Sequence, residues 1–268
     1  MCMDRTNLVN QINEKKSFLC IGLDTDISKI PSFLLKEKDP VFEFNKHIID
    51  STKDICVSYK INTAFYEANG VDGWQSMQKT IDYIPKNIFT IADAKRGDIG
   101  NTSTQYAKAF FQNMNFDSVT VAPYMGKDSV APFLQFEGKW AIVLGLTSNE
   151  GAFDFQYLKQ NDTYLFESVI KKVREWGNEQ NLMFVIGATQ TEQLQRIRQM
   201  IPKHFLLIPG VGTQGGSLQE VCQYGMNEDV GILINVSRQI IYASNQEDFA
   251  TKAREAALKF KKEMEVYF

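Results

Sequence analysis

Short apolar runs alternate with helical segments along almost the whole chain, and this alternation is the feature that most restricts its fold. Eight runs predict buried strands, and they lie at 18–23, 55–62, the first half of 88–105, 118–122, 140–146, 182–187, 205–208 and 230–236. Predicted helices separate them, at 40–54, 72–84, 102–114, 127–136, 163–177, 191–200, 217–224 and 246–265. Eight strand–helix units indicate a parallel sheet closed on itself. We therefore expect an α/β fold, a single (β/α)8 TIM barrel over residues 1–268, with an N-terminal helix at 7–16.

The composition limits the kinds of partner that the chain can bind. Its 268 residues carry a net charge of −3, which argues against general binding to nucleic acid or to an anionic membrane. The four cysteines are scattered, without a Cys-x-x-Cys pair, and there are only two histidines, so we expect no zinc site and a reducing compartment. The polar N-terminus and the absence of a bilayer-length apolar run predict a cytoplasmic protein.

A group of charges, Asp93, Lys95 and Asp98, stands where the third predicted strand ends. Side chains alternate along a strand, so Asp93 and Lys95 are expected to point the same way, while Asp98 falls on the following loop. An ammonium among carboxylates at the C-terminal end of a parallel strand is suited to hold a catalytic cation. The other interpretation is an ordinary solvated ion pair.

Two neighbouring features of the same stretch are interpreted structurally. Arg96 is taken as a surface charge. The next helix is predicted to begin at Thr102, with Gln105 in capping-box register.

Other polar residues also stand at the ends of predicted strands, where the active site of such a barrel lies. They are Asp24, Lys60, Asn62, Ser148 and Asn149. Each alone could be an ordinary loop residue, but together they predict one polar mouth. The segment 147–162 is long for a connection of this kind, and it could be a lid over the site or a plain surface insertion.

A glycine-rich loop follows the seventh predicted strand, with Gly210, Gly212, Gly215 and Gly216. Such a loop lets backbone N–H groups approach an anion, and the helix after it adds its positive N-terminal end. Arg238 ends the eighth strand, next to this loop, where barrels commonly bind phosphate. A dinucleotide site would need an acidic residue at that position, so it is disfavoured. A turn without a ligand stays open.

With these residues assembled, the chain resembles the orotidine 5′-phosphate decarboxylase family in its longer bacterial form. The most specific element is the run from Asp93 to Thr102, which fits the pattern D-x-K-x-x-D-I-x-x-T. The glycine-rich loop and Ser237-Arg238 add to the match. The resemblance implies decarboxylation of orotidine 5′-monophosphate to UMP in pyrimidine synthesis, without metal or cofactor.

The resemblance also implies roles for individual residues. Asp24 and Lys60 would hold the ribose hydroxyls, Ser148 would contact the pyrimidine, and Gln214 and Arg238 would hold the phosphate. Asp93, Lys95 and Asp98 would form the charged array, with Lys95 as proton donor. Asp98, Ile99 and Thr102 would reach the site of a neighbouring subunit, which implies a homodimer with shared active sites.

Three alternatives stay open. A metal-dependent sugar-phosphate decarboxylase or aldolase of the same superfamily shares D-x-K-x-x-D, but it would want an acidic ligand where this chain has Lys60. A Schiff-base aldolase is disfavoured, because adjacent carboxylates keep the Lys95 amine protonated. A barrel that binds a phosphorylated ligand without catalysis is the third.

Overall fold

A computed structural model describes residues 3–212 and 215–268 of the chain. Its central feature is a closed barrel of parallel strands, each paired with the next barrel strand along the chain and the last with the first. The barrel strands are β1 Leu19–Gly22, β2 Ser58–Asn62, β3 Phe89–Arg96, β4 Ser118–Val121, β5 Trp140–Leu146, β8 Leu182–Ile186, β9 Phe205–Pro209 and β10 Ile232–Val236. A small antiparallel hairpin, β6 Lys159–Gln160 and β7 Thr163–Tyr164, lies between β5 and β8 in the chain. The predicted (β/α)8 barrel is confirmed.

Helices follow the strands and cover the outside of the barrel. The helices are α1 Arg5–Lys15, α2 Pro40–Thr52, α3 Ala64–Glu67, α4 Gly70–Tyr83, α5 Asn101–Lys108, α6 Lys127–Leu134, α7 Ala152–Phe155, α8 Leu165–Val173, α9 Thr191–Met200, α10 Leu218–Gly225, α11 Arg238–Ile241 and α12 Phe249–Met264. Short 3₁₀ segments lie at Ser32–Lys36 and Glu265–Tyr267, and a π-helical turn at Ala109–Asn113 continues α5. Within the described residues, no helix combines the length and apolar character needed to cross a bilayer.

Local sequence explains where several helices begin. Asp4 accepts a hydrogen bond from Asn7 N at 2.8 Å and so caps α1. Asp39 does the same for α2 through Phe42 N at 3.1 Å, with Pro40 in the first helical position. These caps satisfy backbone N–H groups that would otherwise lack a partner in the first turn.

The helix after β3 begins differently from the prediction. Its first residue is Asn101, and Gly100 precedes it with a φ of +47°, so the capping box of Thr102 and Gln105 is wrong. A left-handed glycine turns the chain into the helix instead. Ser103 then ties the helix to the preceding loop, since its hydroxyl donates to Asp98 O at 2.8 Å and accepts from Asp98 N at 3.1 Å.

The N-terminal helix covers the N-terminal end of the barrel. Leu8 and Ile12 on α1 are fully buried. The guanidinium of Arg5 lies 5.0 Å from the ring centre of Phe205, the first residue of β9. Trp140, the first residue of β5, donates its indole N–H to Met3 O at 3.1 Å. This end of the barrel is therefore closed, and a substrate has to enter from the other end.

His204, at the same closed end, makes stability depend on pH. Its ring packs on Phe184 with 5.7 Å between centroids, and neither ring nitrogen has a hydrogen-bond partner among the described residues. Burial lowers the pKa of His204 to about 4. The unfolded chain binds a proton near pH 6.5 and the folded one does not. The contribution is therefore fully present above pH 6.5 and is lost as the pH falls from there towards 4.

We expect the free energy of unfolding to fall by roughly 2 kcal/mol between pH 7 and pH 5 on account of His204 alone. Urea unfolding at several pH values should show this slope in the wild type and its loss in His204→Gln. His47→Gln, at the exposed second histidine, is the matched control and should keep the wild-type slope. An identical slope in His204→Gln and wild type would contradict the assignment.

Candidate active site

A cavity of about 300 Å³ lies at the C-terminal ends of the barrel strands, and side chains from several strands line it. Nine of the residues predicted from the sequence are among them: Asp24, Lys60, Asn62, Asp93, Lys95, Ser148, Asn149, Gly210 and Arg238. Because the carboxyl ends of parallel strands meet at one end of a barrel, residues far apart in the chain come together here.

Four of these residues form a chain of alternating charges. The ammonium of Lys60 lies 3.1 Å from Asp24 Oδ1 and 3.0 Å from Asp93 Oδ2. The other oxygen of Asp93 lies 2.6 Å from the ammonium of Lys95. Lys60 is the innermost, with 4% of its side chain exposed, whereas 51% of the Lys95 side chain is exposed. The contacts therefore run in the order Asp24, Lys60, Asp93, Lys95, and only the last of these is largely exposed.

The neighbours keep the inner members ionised. Burial opposes the charged form of Lys60, but Asp24 and Asp93 outweigh it and raise the pKa of Lys60 above its ordinary value. Burial likewise opposes the charged form of Asp93, but Lys60 and then Lys95 hold its pKa well below the usual range. Opposite charges within hydrogen-bond distance favour the ionised form of both partners. Asp93 is therefore a carboxylate, and Lys60 an ammonium, at any pH where the protein works.

The backbone at Lys95 departs from a regular strand. Pairing between β3 and β4 shifts its register between Ala92 and Arg96, and Lys95 has a φ of +48°. A non-glycine residue in this left-handed region costs about 1–2 kcal/mol. Lys95 and Asp93 meet as expected, and they do so where the pairing of the strand is irregular.

Arg96 is not a surface charge, so that interpretation is wrong. Only 21% of its side chain is exposed, and its guanidinium forms an ion pair with Glu67 on α3. The same group lies over the rings of Tyr106 and Phe110, at 5.4 and 5.5 Å from their centres. Glu67 precedes β3 in the chain, and Tyr106 and Phe110 follow it. No local pattern in the sequence predicts these contacts.

The glycine-rich loop contributes its first part to the cavity. Pro209, Gly210 and Val211 line it, and Gly210 has a φ of +98° that favours glycine. Gly212 N donates to Gly216 O at 2.9 Å, and Gly216 N donates to Gly210 O at 3.3 Å. These two N–H groups are thus bonded within the loop.

The rest of the loop lies farther from the cavity. Gly212 and Gly216 face a second hollow, against Gln239. Gly215 has a φ of +86°, and within the described residues no group beyond its chain neighbours lies within 4 Å of the position that a Cβ atom would take. The predicted role of Gln214 falls outside the described residues.

Asp98, Ile99 and Thr102 lie on the outer side of the mouth. Asp98 Oδ1 accepts a hydrogen bond from Ile99 N at 2.6 Å, and no ion pair joins Asp98 to Lys95, both of which the structure describes. Ile99 is 65% exposed, and Thr102 is exposed as well. Within one chain, therefore, the charged array contains Asp93 and Lys95 without Asp98.

The segment 147–162 has its own secondary structure, α7 and the strand β6. Gln156 ties it to the end of β5, since Thr147 N donates to Gln156 Oε1 and Gln156 Nε2 donates to Thr147 Oγ1, each at 2.8 Å. Phe153, Phe155 and Leu158 are left 65%, 61% and 55% exposed. Its function as a lid stays a prediction.

Sequence reasoning missed Asn235, which lines the cavity from β10 and is only 8% exposed. The signal was present, because Asn235 interrupts the apolar run Ile232–Val236. Leu144, Val185 and Leu207 give the same cavity an apolar part. A buried amide beside apolar walls can orient a flat polar ring.

The carboxylates that line the cavity are paired with lysines and are not arranged around a metal ion. Over residues 3–212 and 215–268, no group of three or more His, Cys, Asp or Glu side chains is arranged to hold one. The space between the carboxylates of Asp24 and Asp93 is filled by the Lys60 ammonium. Cys20, Cys56 and Cys222 are buried free thiols, and burial raises the pKa of Cys56 to about 11.

The closed parallel barrel, with charged side chains converging on its C-terminal mouth, defines the class: this is a (β/α)8-barrel enzyme. The model of the orotidine 5′-phosphate decarboxylase / HUMPS family matches residues 17–253. The chain belongs to this family.

Individual relatives agree with the family match. An orotidine 5′-phosphate decarboxylase of Flavobacterium johnsoniae is 63% identical over 265 residues, which cover 98% of this chain and 97% of the relative. One from Phocaeicola vulgatus is 57% identical over 267 residues, with 98% of both chains covered. Among solved structures, Leishmania donovani OMP decarboxylase has a TM-score of 0.80 and 34% identity, over 95% of this chain and 98% of that one. Plasmodium berghei orotidine 5′-monophosphate decarboxylase has a TM-score of 0.82 and 27% identity, over 97% and 99%.

Proposed function

We propose that this protein converts orotidine 5′-monophosphate to UMP and CO₂, the decarboxylation that completes UMP in pyrimidine synthesis, and that it needs no metal or cofactor. The observation that carries the proposal is that the Lys95 ammonium, bound by Asp93, lines the same cavity as Gly210 and Arg238. A proton donor and an anion site thus share one mouth. The family membership and the relatives named orotidine 5′-phosphate decarboxylase support the same reaction.

The chemistry explains why the site needs a fixed cation. When the bond between C6 and the carboxylate breaks, the electron pair stays on C6 in the plane of the pyrimidine and cannot spread into the π system. A cation of the protein lowers the barrier if it interacts more strongly with the transition state than with the bound substrate. Lys95 supplies that charge and then its proton to C6, which gives UMP. Asp93 holds and directs the ammonium through their ion pair at 2.6 Å.

The remaining residues bind the parts of the substrate that do not react. Asp24 and Lys60 bind the ribose hydroxyls, Ser148 binds the pyrimidine, and Gln214 and Arg238 bind the phosphate. Gly210, which lines the cavity, lets the backbone approach the same phosphate, whereas Gly212, Gly215 and Gly216 shape the loop, because their N–H groups are bonded within it. Binding energy from the remote phosphate orients the ring and supports closure of 147–162 over it.

The protein acts as a homodimer with shared active sites, each chain being one catalytic domain over residues 1–268. The support is the half-buried Asp98 with the exposed Ile99 and Thr102 at the rim, where they can extend into a neighbouring site. Light scattering of the purified protein tests the dimer, and a monomer at assay concentration would refute it. The protein is proposed to work in the cytoplasm, with neither nucleic acid nor membrane as partner.

One assay separates this function from its rivals. Loss of orotidine 5′-monophosphate is followed by ultraviolet absorbance, with and without EDTA. Decarboxylation that EDTA leaves unchanged is the expected result. Loss of activity in EDTA would indicate the metal-dependent relatives, although the Lys60 ammonium occupies the place between Asp24 and Asp93 that a metal would need. UMP binding without turnover would indicate a binding protein.

Replacing Arg238 should affect binding far more than chemistry. The Arg238→Ala variant loses the cation of a residue that lines the cavity together with Gly210, so we expect the affinity for UMP to fall by about 10²-fold, as for the loss of a charge-assisted bidentate contact. Affinity for uridine, which has no phosphate, is the control and should change little. Calorimetric titration measures both, and an unchanged affinity for UMP would contradict the phosphate assignment.

A further inference from the structure

The peptide group between Ala94 and Lys95 is held at both of its polar atoms by side chains. Its N–H donates to Thr120 Oγ1 at 2.8 Å. Its C=O accepts from Arg96 Nη1 at 3.1 Å. The orientation of this peptide plane relative to Lys95 is the angle φ, which is +48° here. Rotation of Lys95 to an ordinary negative φ would therefore break one or both bonds unless the neighbouring chain moved with it.

Thr120 connects this peptide to the charged array. It lies on β4 and is 1% exposed. Its hydroxyl accepts from Lys95 N and donates to Asp93 Oδ1 at 3.1 Å, the oxygen that also binds the Lys95 ammonium. One hydroxyl thus fixes the backbone of the lysine and the carboxylate that the same lysine contacts.

Arg96 is in turn held from outside the strand. Its Nη2 forms the ion pair with Glu67, and the rings of Tyr106 and Phe110 pack against the guanidinium. Its Nε is buried without a hydrogen-bond partner among the described residues. A buried N–H group without a hydrogen-bond partner lowers the stability of the folded state. Such groups are therefore found mainly where the residue has a role other than stability.

We propose that Arg96 and Thr120 are positioning residues that hold the Ala94–Lys95 peptide so that the Lys95 ammonium stays on Asp93 and in the cavity. The inference rests on the proposed function, because it assigns these residues to the group that delivers the proton. Neither side chain is among those that line the cavity. Their effect on catalysis has to pass through Lys95.

The test compares the steady-state kinetics of Thr120→Val, Thr120→Ser and Arg96→Met with the wild type, using orotidine 5′-monophosphate. Valine keeps the shape of threonine without its hydroxyl, and methionine keeps an apolar stem against Tyr106 and Phe110. A displaced catalytic group costs up to about 10²-fold. We therefore expect kcat to fall roughly 30- to 100-fold in Thr120→Val and Arg96→Met, with KM changed by less than about threefold. Thr120→Ser should restore kcat to within about threefold of the wild type, since the hydroxyl is back.

Matched controls separate positioning from a general loss of stability. Thr90→Val removes another buried hydroxyl on an aspartate, since Thr90 Oγ1 donates to Asp117 Oδ2 at 2.7 Å at the start of β3. Arg254→Met removes an ion pair with Asp54 and a bond to Ser51 O, each at 2.7 Å, and none of these three residues lines the cavity. Both controls should lose thermal stability and keep kcat.

The outcomes are distinct. An active wild type with unchanged kcat in Thr120→Val and Arg96→Met would overturn the proposal, as would a Thr120→Ser variant as impaired as Thr120→Val. If Thr120→Val does not fold, Arg96→Met and Thr120→Ser decide. A wild type without decarboxylation refutes the proposed function instead. In that case, amide hydrogen exchange at Lys95 still tests the anchoring: faster exchange in folded Thr120→Val supports it, and an unchanged rate overturns it.

Discussion

The Lys95→Ala variant is expected to lose decarboxylation almost completely and to stay folded. Alanine removes both the cation that stabilises the charge on C6 and the donor of its proton. The variant loses the rate enhancement from general acid catalysis and the one from electrostatic stabilisation at the same time, so we expect kcat to fall by at least about 10⁴-fold. The fold should survive, because Asp93 keeps Lys60 as a partner at 3.0 Å and the Lys95 side chain is half exposed.

Lys79→Ala is the matched control for this variant. Lys79 is 46% exposed and pairs with Asp39 at 2.7 Å, much as Lys95 pairs with Asp93, but it lies on α4 outside the cavity. Its loss should leave kcat unchanged. The measurement is the rate of absorbance change at saturating substrate, together with a thermal unfolding curve. Substantial turnover by folded Lys95→Ala would remove the proposed proton donor.

Asp93→Asn should damage both activity and stability, because Asp93 binds two ammonium groups at once. The amide keeps the shape of the side chain and removes its charge. Lys60, with 4% of its side chain exposed, then keeps only Asp24 as a counterion. Removing one partner of a buried ion pair lowers the free energy of unfolding by about 3 kcal/mol. Lys95, no longer held by a carboxylate, should be misplaced, so kcat should fall by about 10²- to 10³-fold.

The control and the pH dependence make this prediction sharper. Asp39→Asn, which removes the carboxylate facing Lys79, should lower stability without lowering kcat. The folded-state pKa of Asp93 is depressed, so its stabilising contribution is present above the unfolded value near 4 and is lost only as the pH falls below it. At neutral pH the difference between wild type and Asp93→Asn is therefore at its full size. Equal kcat in the two proteins would refute the proposed role of Asp93.

The fold and the membership of the mouth could be predicted because both depend on patterns along the chain. Repeated apolar runs determine the barrel, and the barrel brings the strand ends together, so that Asp24, Lys60, Asp93 and Lys95 were expected at one place. The structure puts all four around one cavity. Their chemical roles stay predictions.

What could not be predicted depends on contacts between distant segments. Arg96 contacts Glu67 and Phe110, which lie on two other elements. The local sequence around Arg96 does not contain this information, so Arg96 was predicted to be a surface charge. The left-handed Lys95 lies within a shift in pairing between two strands, and neither feature follows from a local pattern in either sequence. Asn235 differs from these cases, because its signal is local: it interrupts an apolar strand. A single amide in such a strand is usually a minor variation, so the signal was not interpreted as a site residue.

The unequal exposure of the two lysines has a consequence for repeated turnover. In the proposed mechanism, each cycle takes one proton from Lys95, and this proton has to be replaced before the next substrate is processed. Because half of the Lys95 side chain is open to water, bulk solvent can reprotonate the amine directly once UMP has left, without an internal relay. Lys60 is almost fully buried between two carboxylates and keeps its charge throughout, so Asp93 never lacks a cation while its neighbour is being recharged.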